Sequence, residues 1–208
     1  VDVFQNIHNL GLFGQFDWKV ISWLKLNLGL RADIDNVINK VILNPRAGFL
    51  IDTKFGMQIR GNYSRGYMSP QLFSDEIHAE IVSGEFRRVV LGEGLKHETS
   101  NTYTLGFNYS KQISSSTIYF SVDGFLTQIQ KPFVYENTVL DSNQVLLKTN
   151  GDASMVAGIN LEAKYAFKEW ITIESAFTIQ SAKYRTAVEW TEGEFSNAFL
   201  KTPNYYGS

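Results

Sequence analysis

Residues 24–33 read Leu-Lys-Leu-Asn-Leu-Gly-Leu-Arg-Ala-Asp. Leu24, Leu26, Leu28, Leu30 and Ala32 occupy one set of alternate positions, and Lys25, Asn27, Gly29, Arg31 and Asp33 the other. Only an extended chain turns a period of two into two faces, so this stretch predicts a strand that is apolar on one side and polar on the other. Four further stretches repeat the pattern. Residues 55–64 set Met57, Ile59 and Tyr63 against Gln58, Arg60, Asn62 and Ser64, and 103–110 set Tyr103, Leu105, Phe107 and Tyr109 against Thr104, Gly106, Asn108 and Ser110. In 158–167, Ile159, Leu161, Ala163, Tyr165 and Phe167 oppose Asn160, Glu162, Lys164 and Ala166. In 171–180, Ile171, Ile173, Phe177 and Ile179 oppose Thr172, Glu174, Thr178 and Gln180. Weaker versions at 8–18, 46–52 and 117–129 bring the expectation to eight strands, with a ninth opening near Leu200.

The connections alternate as well. Short turns are expected at Trp18–Trp23, Thr53-Lys54, Lys111–Ser116 and Lys168-Glu169; longer links are expected at 34–44, 66–98, 131–153 and 184–199. Long loops on one side and tight turns on the other are the layout of an up-and-down barrel that crosses an outer membrane. A strand of about ten residues, rising ~3.3 Å per residue and tilted by ~45°, spans roughly the 25 Å apolar band of such a membrane. Trp18, Trp23, Phe55, Tyr109, Phe167 and Trp170 gather at the tight-turn ends. Amphipathic rings settle at that depth, at the membrane interface. The expected fold is therefore all-β, an antiparallel up-and-down transmembrane β-barrel.

Composition excludes other classes. Apolar residues make up 44% of 208, yet they are dispersed, and no run reaches the ~18 needed for a membrane-spanning helix. A net charge of −2 with scattered Lys and Arg gives no nucleic-acid surface. The lack of Cys rules out disulfides and thiolate metal sites. His8, His78 and His97 have no zinc-ligand spacing, and no second His follows His97-Glu98 at the distance a metalloprotease helix requires. Asp75-Glu76 with Glu80 reads as a solvated loop, because acid–base catalysis needs two carboxylates held apart across a bond. No catalytic residue, metal ligand or cofactor site is assigned. The N-terminus lacks the basic start and apolar core of a signal peptide. A new element is expected to open where the chain stops, so residues 1–208 are read as a segment of a single β-barrel domain.

Several stretches resemble TonB-dependent outer-membrane receptors. Asn62-Tyr-Ser-Arg-Gly-Tyr-Met-Ser-Pro-Gln-Leu-Phe73 resembles their Y-x-R-G-F-x-A-P-x-L-F stretch, and Gly94-Leu-Lys-His-Glu-Thr-Ser-Asn-Thr-Tyr-Thr-Leu-Gly-Phe107 is similar to their N-P-x-L-K-P-E-x-S-x-x-Y-E-L-G segment, with His97 in place of a Pro. Asn44-Pro-Arg-Ala-Gly-Phe49, Gly158-Ile-Asn-Leu-Glu-Ala-Lys164 and Phe199-Leu-Lys-Thr-Pro-Asn-Tyr-Tyr206 resemble further strands of that family, in the family's order. The resemblance implies a barrel of about 22 strands, of which this chain is about eight from the later half. The N-terminal plug, the energy-coupling box and the terminal strands are absent from it. It further implies outer-membrane lipid as surroundings and the TonB–ExbB–ExbD complex as a partner through the missing N-terminal region. The implied cargo is a large scarce nutrient such as a ferric siderophore, haem, cobalamin or glycan.

Two sets of residues are candidates for contact with that cargo. Segment 66–98 is far longer than a hairpin link, and such loops usually carry function or are disordered. Tyr67, Phe73, His78, Arg87 and Arg88 would there anchor a planar or polyanionic ligand, unless the loop packs only on its neighbours. A short helix seeded around Pro70–Glu76 is also expected there. Arg31, Arg60, Glu162 and Lys164 lie on polar faces and are expected to line a lumen; Arg31 and Arg60 either hold a plug or form ladders with Asp33, Asp52 or Glu162. Two other readings compete with this one. A passive porin or small eight-stranded barrel would close on itself, and a soluble all-β carbohydrate-binding or adhesin domain would pack its apolar faces against each other.

Overall fold

The structure is a computed structural model that describes residues 6–53, 55–71, 88–140, 143–191, 193–199 and 202–208. Eight long strands carry it: β1 (Asn9–Ile21), β2 (Leu24–Asp35), β3 (Lys40–Asp52), β4 (Met57–Met68), β6 (Glu98–Ile113), β7 (Ser116–Gln130), β10 (Ala153–Phe167) and β11 (Ile171–Thr191). They pair antiparallel in that order, and β12 (Glu194–Ala198) and β13 (Tyr205–Gly207) both pair with β11. These two pieces stand where a ninth strand near Leu200 was expected. A second, three-stranded sheet runs β5 (Arg88–Leu91), β9 (Asn143–Asn150), β8 (Phe133–Leu140).

Register converts the sequence pattern into two surfaces. One row runs Trp18, Leu26, Phe49, Gly61, Leu105, Gly124, Ile159, Ile179 and Tyr205 across nine strands without a polar side chain. One residue along, on the other face, runs Asp17, Asn27, Gly48, Asn62, Thr104, Phe125, Gly158 and Gln180. Among the described residues nothing packs over the apolar face: Leu12, Phe16, Leu28, Leu105 and Ile173 are all exposed. Total accessible surface is 14551 Å², whereas a compact protein of this mass would expose about 9,800 Å². A soluble domain that buries its apolar faces against each other does not have this surface; a wall bathed in lipid does. The sheet is also open, since β1 pairs only with β2 among the described residues, so the eight strands do not close into a small barrel.

The tight turns lie together at one end: Ser22-Trp23, Phe55-Gly56, Ser114-Ser115 and Lys168–Trp170. Gly56, Ser114 and Lys168 take positive φ there, as tight hairpins require. Trp18, Trp23, Phe55, Phe167 and Trp170 project from this end into solvent-accessible space. Connections at the opposite end, the mouth, differ from expectation. The 34–44 link is a four-residue turn, Asn36–Asn39, because β2 and β3 continue in register to Asp35↔Lys40. The 131–153 link is the β8–β9 hairpin, and the 184–199 link is the end of β11 folding back as β12. Of the 66–98 segment, residues 72–87 lie outside the described residues, and with them most of the expected short helix.

Candidate functional site

Polar side chains on the face opposite the apolar one form ion pairs and hydrogen bonds along the sheet. Arg31 holds Asp33 at 2.8 Å, and Asp33, only 1% exposed, also accepts from Asn44 Nδ2 at 3.1 Å. Residues two apart on one strand share a face, which is why this pair was readable. Arg60 grips Asp123 through Nη2, at 2.8 and 2.6 Å to its two carboxylate oxygens, and Ser121 Oγ donates to the same carboxylate at 3.0 Å. Arg46 Nη2 donates to Gln15 Oε1, whose own amide donates to Asp17 at 2.8 Å. Lys164 pairs with Glu174 nearer the tight turns. Glu162 lies on the same face, between Ser121 and Ala176, and no ion pair forms on it or on Asp52 among the described residues.

Each of the three arginines lies over a glycine of the next strand. A Cβ on Gly11 would be 2.6 Å from Arg31 Nη2, one on Gly29 2.6 Å from Arg46 Nε, and one on Gly106 2.9 Å from Arg60 Nε. The guanidinium stems therefore lie flat along the wall. Glycine at these points leaves the space that a side chain would fill.

At the mouth, the pairing of β3 with β4 stops at Arg46↔Ser64, while β4 continues along β6 to Met68↔Glu98. The freed end of β4 leans over the top of β2. Ser69 Oγ donates to Asp35 Oδ2 at 2.5 Å, and Asp35 Oδ1 accepts from the Val37 and Ile38 amides at 2.8 and 3.1 Å. Tyr67 OH accepts from Asn9 Nδ2, and the Tyr67 ring meets His97 edge-on with centroids 6.5 Å apart. Arg31, Asp33 and Asp35 all lie within electrostatic range of Tyr67, so the structure unites two of the sequence candidates, Tyr67 and Arg31. The His97 imidazole titrates below its ordinary value, first because it is partly buried, then because Lys131, Arg65 and Lys40 repel its charge; Asp35 opposes them.

The small sheet stands beside this latch and touches the wall, with β8 against β11. Its core is Phe133, Val134, Val145 and Leu146, all buried. Lys148 is 1% exposed, its Nζ donating to Gln71 O at 3.1 Å and lying 4.6 Å from the Phe133 ring centre. A buried ammonium needs such partners to offset lost hydration. Asn150 ties the sheet to the wall, accepting from Lys96 N at 2.7 Å and donating to Lys96 O and Lys131 O at 2.8 and 2.9 Å. Glu98 accepts from Phe133 N. Phe73, His78 and Arg87 lie outside the described residues; Arg88 opens β5, its backbone registered with Val145. Sequence reading missed Asp123, Asp35, Ser69, Lys148 and Asn150, because each has a partner in a segment distant in sequence.

No curated protein matches the chain in sequence. Among solved structures, the siderophore receptor PirA from Pseudomonas aeruginosa superposes with a TM-score of 0.71 at 15% identity, covering 86% of this chain and 35% of its own. The FrpB iron transporter from Neisseria meningitidis gives 0.65 at 18% identity over 86% of this chain and 26% of its own. The copper transporter OprC gives 0.62 at 17% over 86% and 29%. The chain thus spans about a third or less of these relatives, and the likeness is one of fold. The family model described as TonB dependent receptor-like, beta-barrel, matches residues 3–208. With that match over nearly every residue, the chain belongs to the TonB-dependent receptor β-barrel family of the outer membrane.

Proposed function

We propose that the chain forms wall and mouth of the later half of a receptor that imports a large scarce nutrient, driven by TonB–ExbB–ExbD acting through an N-terminal region outside these residues. The observation that carries this reading is the mouth. A passive pore needs an open entrance, whereas here the β5–β9–β8 sheet and the Tyr67–Ser69 latch stand at the mouth of a polar wall. Arg31, Arg60, Glu162 and Lys164 face the lumen in this reading, and Tyr67, Phe73, His78, Arg87 and Arg88 of the 66–98 segment meet the cargo. Relatives whose names mention siderophore, iron and copper favour a metal-bearing cargo, among ferric siderophore, haem, cobalamin and glycan. The chain itself carries no reaction chemistry in this account.

The test starts with the native protein extracted from outer membranes. A heat-modifiable species several times heavier than 23.6 kDa is expected. Uptake of radiolabelled ferric chelates, haem, cobalamin and oligosaccharide by cells with and without the gene should then reveal one cargo whose import also fails when TonB is deleted. A native species of 23.6 kDa, or uptake that persists without TonB, overturns the reading.

A further inference from the structure

A cleft of about 440 Å³ opens at the mouth between the Gly92–Lys96 turn on one side and Lys131 with Thr149–Asp152 on the other. Its two lips are fixed to each other. Asn150 bonds both Lys96 and Lys131 through their backbones, so the two lysines stand on facing lips of one rigid frame. The backbone is also bent to make this shape. Gly94 has φ +72 at the turn, and Lys131 holds φ +55, a left-handed conformation costly for a side-chain-bearing residue, directly before Pro132. Such outliers mark places where surrounding structure imposes a geometry.

Charge in the cleft is unbalanced by hydrogen bonding rather than by count. Asp152 is drawn to Arg185 Nε at 3.7 Å and Thr186 Oγ1 at 3.4 Å. Glu98 accepts from Phe133 N, Glu136 from Thr149 Oγ1 and Asp35 from three donors. Among the described residues no carboxylate comes within ion-pairing distance of Lys96, Lys131, Arg65 or Lys40. Glu93, on the exposed turn, is the one lip carboxylate left over. The cations therefore outnumber the available anions, and Lys131, Arg65 and Lys40 add to partial burial in lowering the pKa of His97 beside them.

We propose that this cleft is an oxyanion site, in which Lys96 and Lys131 grip a phosphate-type group between them. The site does not depend on cargo or on energy coupling. Two sources offer that chemistry at an outer-membrane mouth: the phosphorylated headgroup of an outer-leaflet lipid, or a soluble phosphate-bearing ligand.

The experiment uses the full-length receptor in neutral detergent, titrated calorimetrically with sodium pyrophosphate. Binding that weakens with added salt is expected, and K96Q/K131Q should lose at least about tenfold in affinity, the worth of one charge-assisted hydrogen bond. Both lysines are exposed, so the variant should keep its boiling-dependent gel shift. K111Q/K168Q, changed at the tight-turn end, should bind like the parent. No pyrophosphate binding by the parent, or equal binding by K96Q/K131Q, overturns the site. Repeating the titration in nanodiscs assigns the source. Competition by phosphatidylglycerol but not phosphatidylcholine points to a lipid headgroup; equal affinity in both points to a soluble ligand.

Discussion

Gly106 and Arg60 face each other across β4 and β6, and a methyl group on Gly106 would stand 2.0 Å from Asp123 Oδ1. G106A must push the carboxylate or the guanidinium aside and so separate the pair. A loss of about 1–2 kcal/mol is expected, in the range for a crowded site that also strains a half-buried ion pair. Urea unfolding of the full receptor in lipid vesicles measures it; a parent-like midpoint would show that the pair has room to move. His97 offers a pH-dependent case. Undocked, its imidazole titrates near 6.5; docked against Tyr67 it titrates lower, so protons favour the undocked form. Docking is at full strength above 6.5 and weakens as pH falls toward the docked value. Amide exchange in 92–97 should quicken on acidification, and H97Q should remove that dependence. At this scale, alternation sufficed to place Arg31, Arg60 and Lys164 on the polar face and to suggest Asp33 as a partner. It could not supply Asp123, because that partner lies 63 residues from Arg60 and depends on two strand registers rather than on spacing.

Strands that are wet or lipid-exposed on opposite faces announce themselves, and all eight long strands were legible for that reason. The mouth hairpins were not. In β8 and β9 neighbouring residues are buried together, Phe133 with Val134 and Val145 with Leu146, so no alternation survives. The outer end of β11, Arg185-Thr-Ala-Val-Glu, has the opposite problem, with water on both sides and no apolar face to betray it. The two-sidedness of β6 gives a direct comparison. Leu105, 61% exposed on the apolar face, sits at the middle of β6, while Thr104 is its neighbour on the polar face. L105R should cost about 2–4 kcal/mol in vesicle-based unfolding, the price of a charge near the bilayer midplane. T104R should cost under about 1 kcal/mol, since its side chain enters a polar space. Equal costs would mean that Leu105 does not face lipid.

At the scale of the whole molecule, the order of strands in space almost follows their order in the chain, and each long strand finds its partner through a turn of a few residues or, at the mouth, through a longer link. The pairing of β5 with β9 breaks that rule. It is parallel, joins Arg88 to Val145 across a separation of 57 positions, and encloses β6, β7 and the whole β8 strand. Closing a large loop before its contacts form is entropically slow, and parallel pairs cannot be reached by a hairpin. Among the described residues β5 pairs only with β9, so it joins after the wall strands are threaded and β8 and β9 have zipped. Assembly of the receptor should therefore pass through a stage in which the wall is complete and the entrance is still unfastened. Pulsed deuterium labelling during refolding would find Val89 and Val90 protected last, and protection of β5 ahead of β7 would contradict that sequence of events.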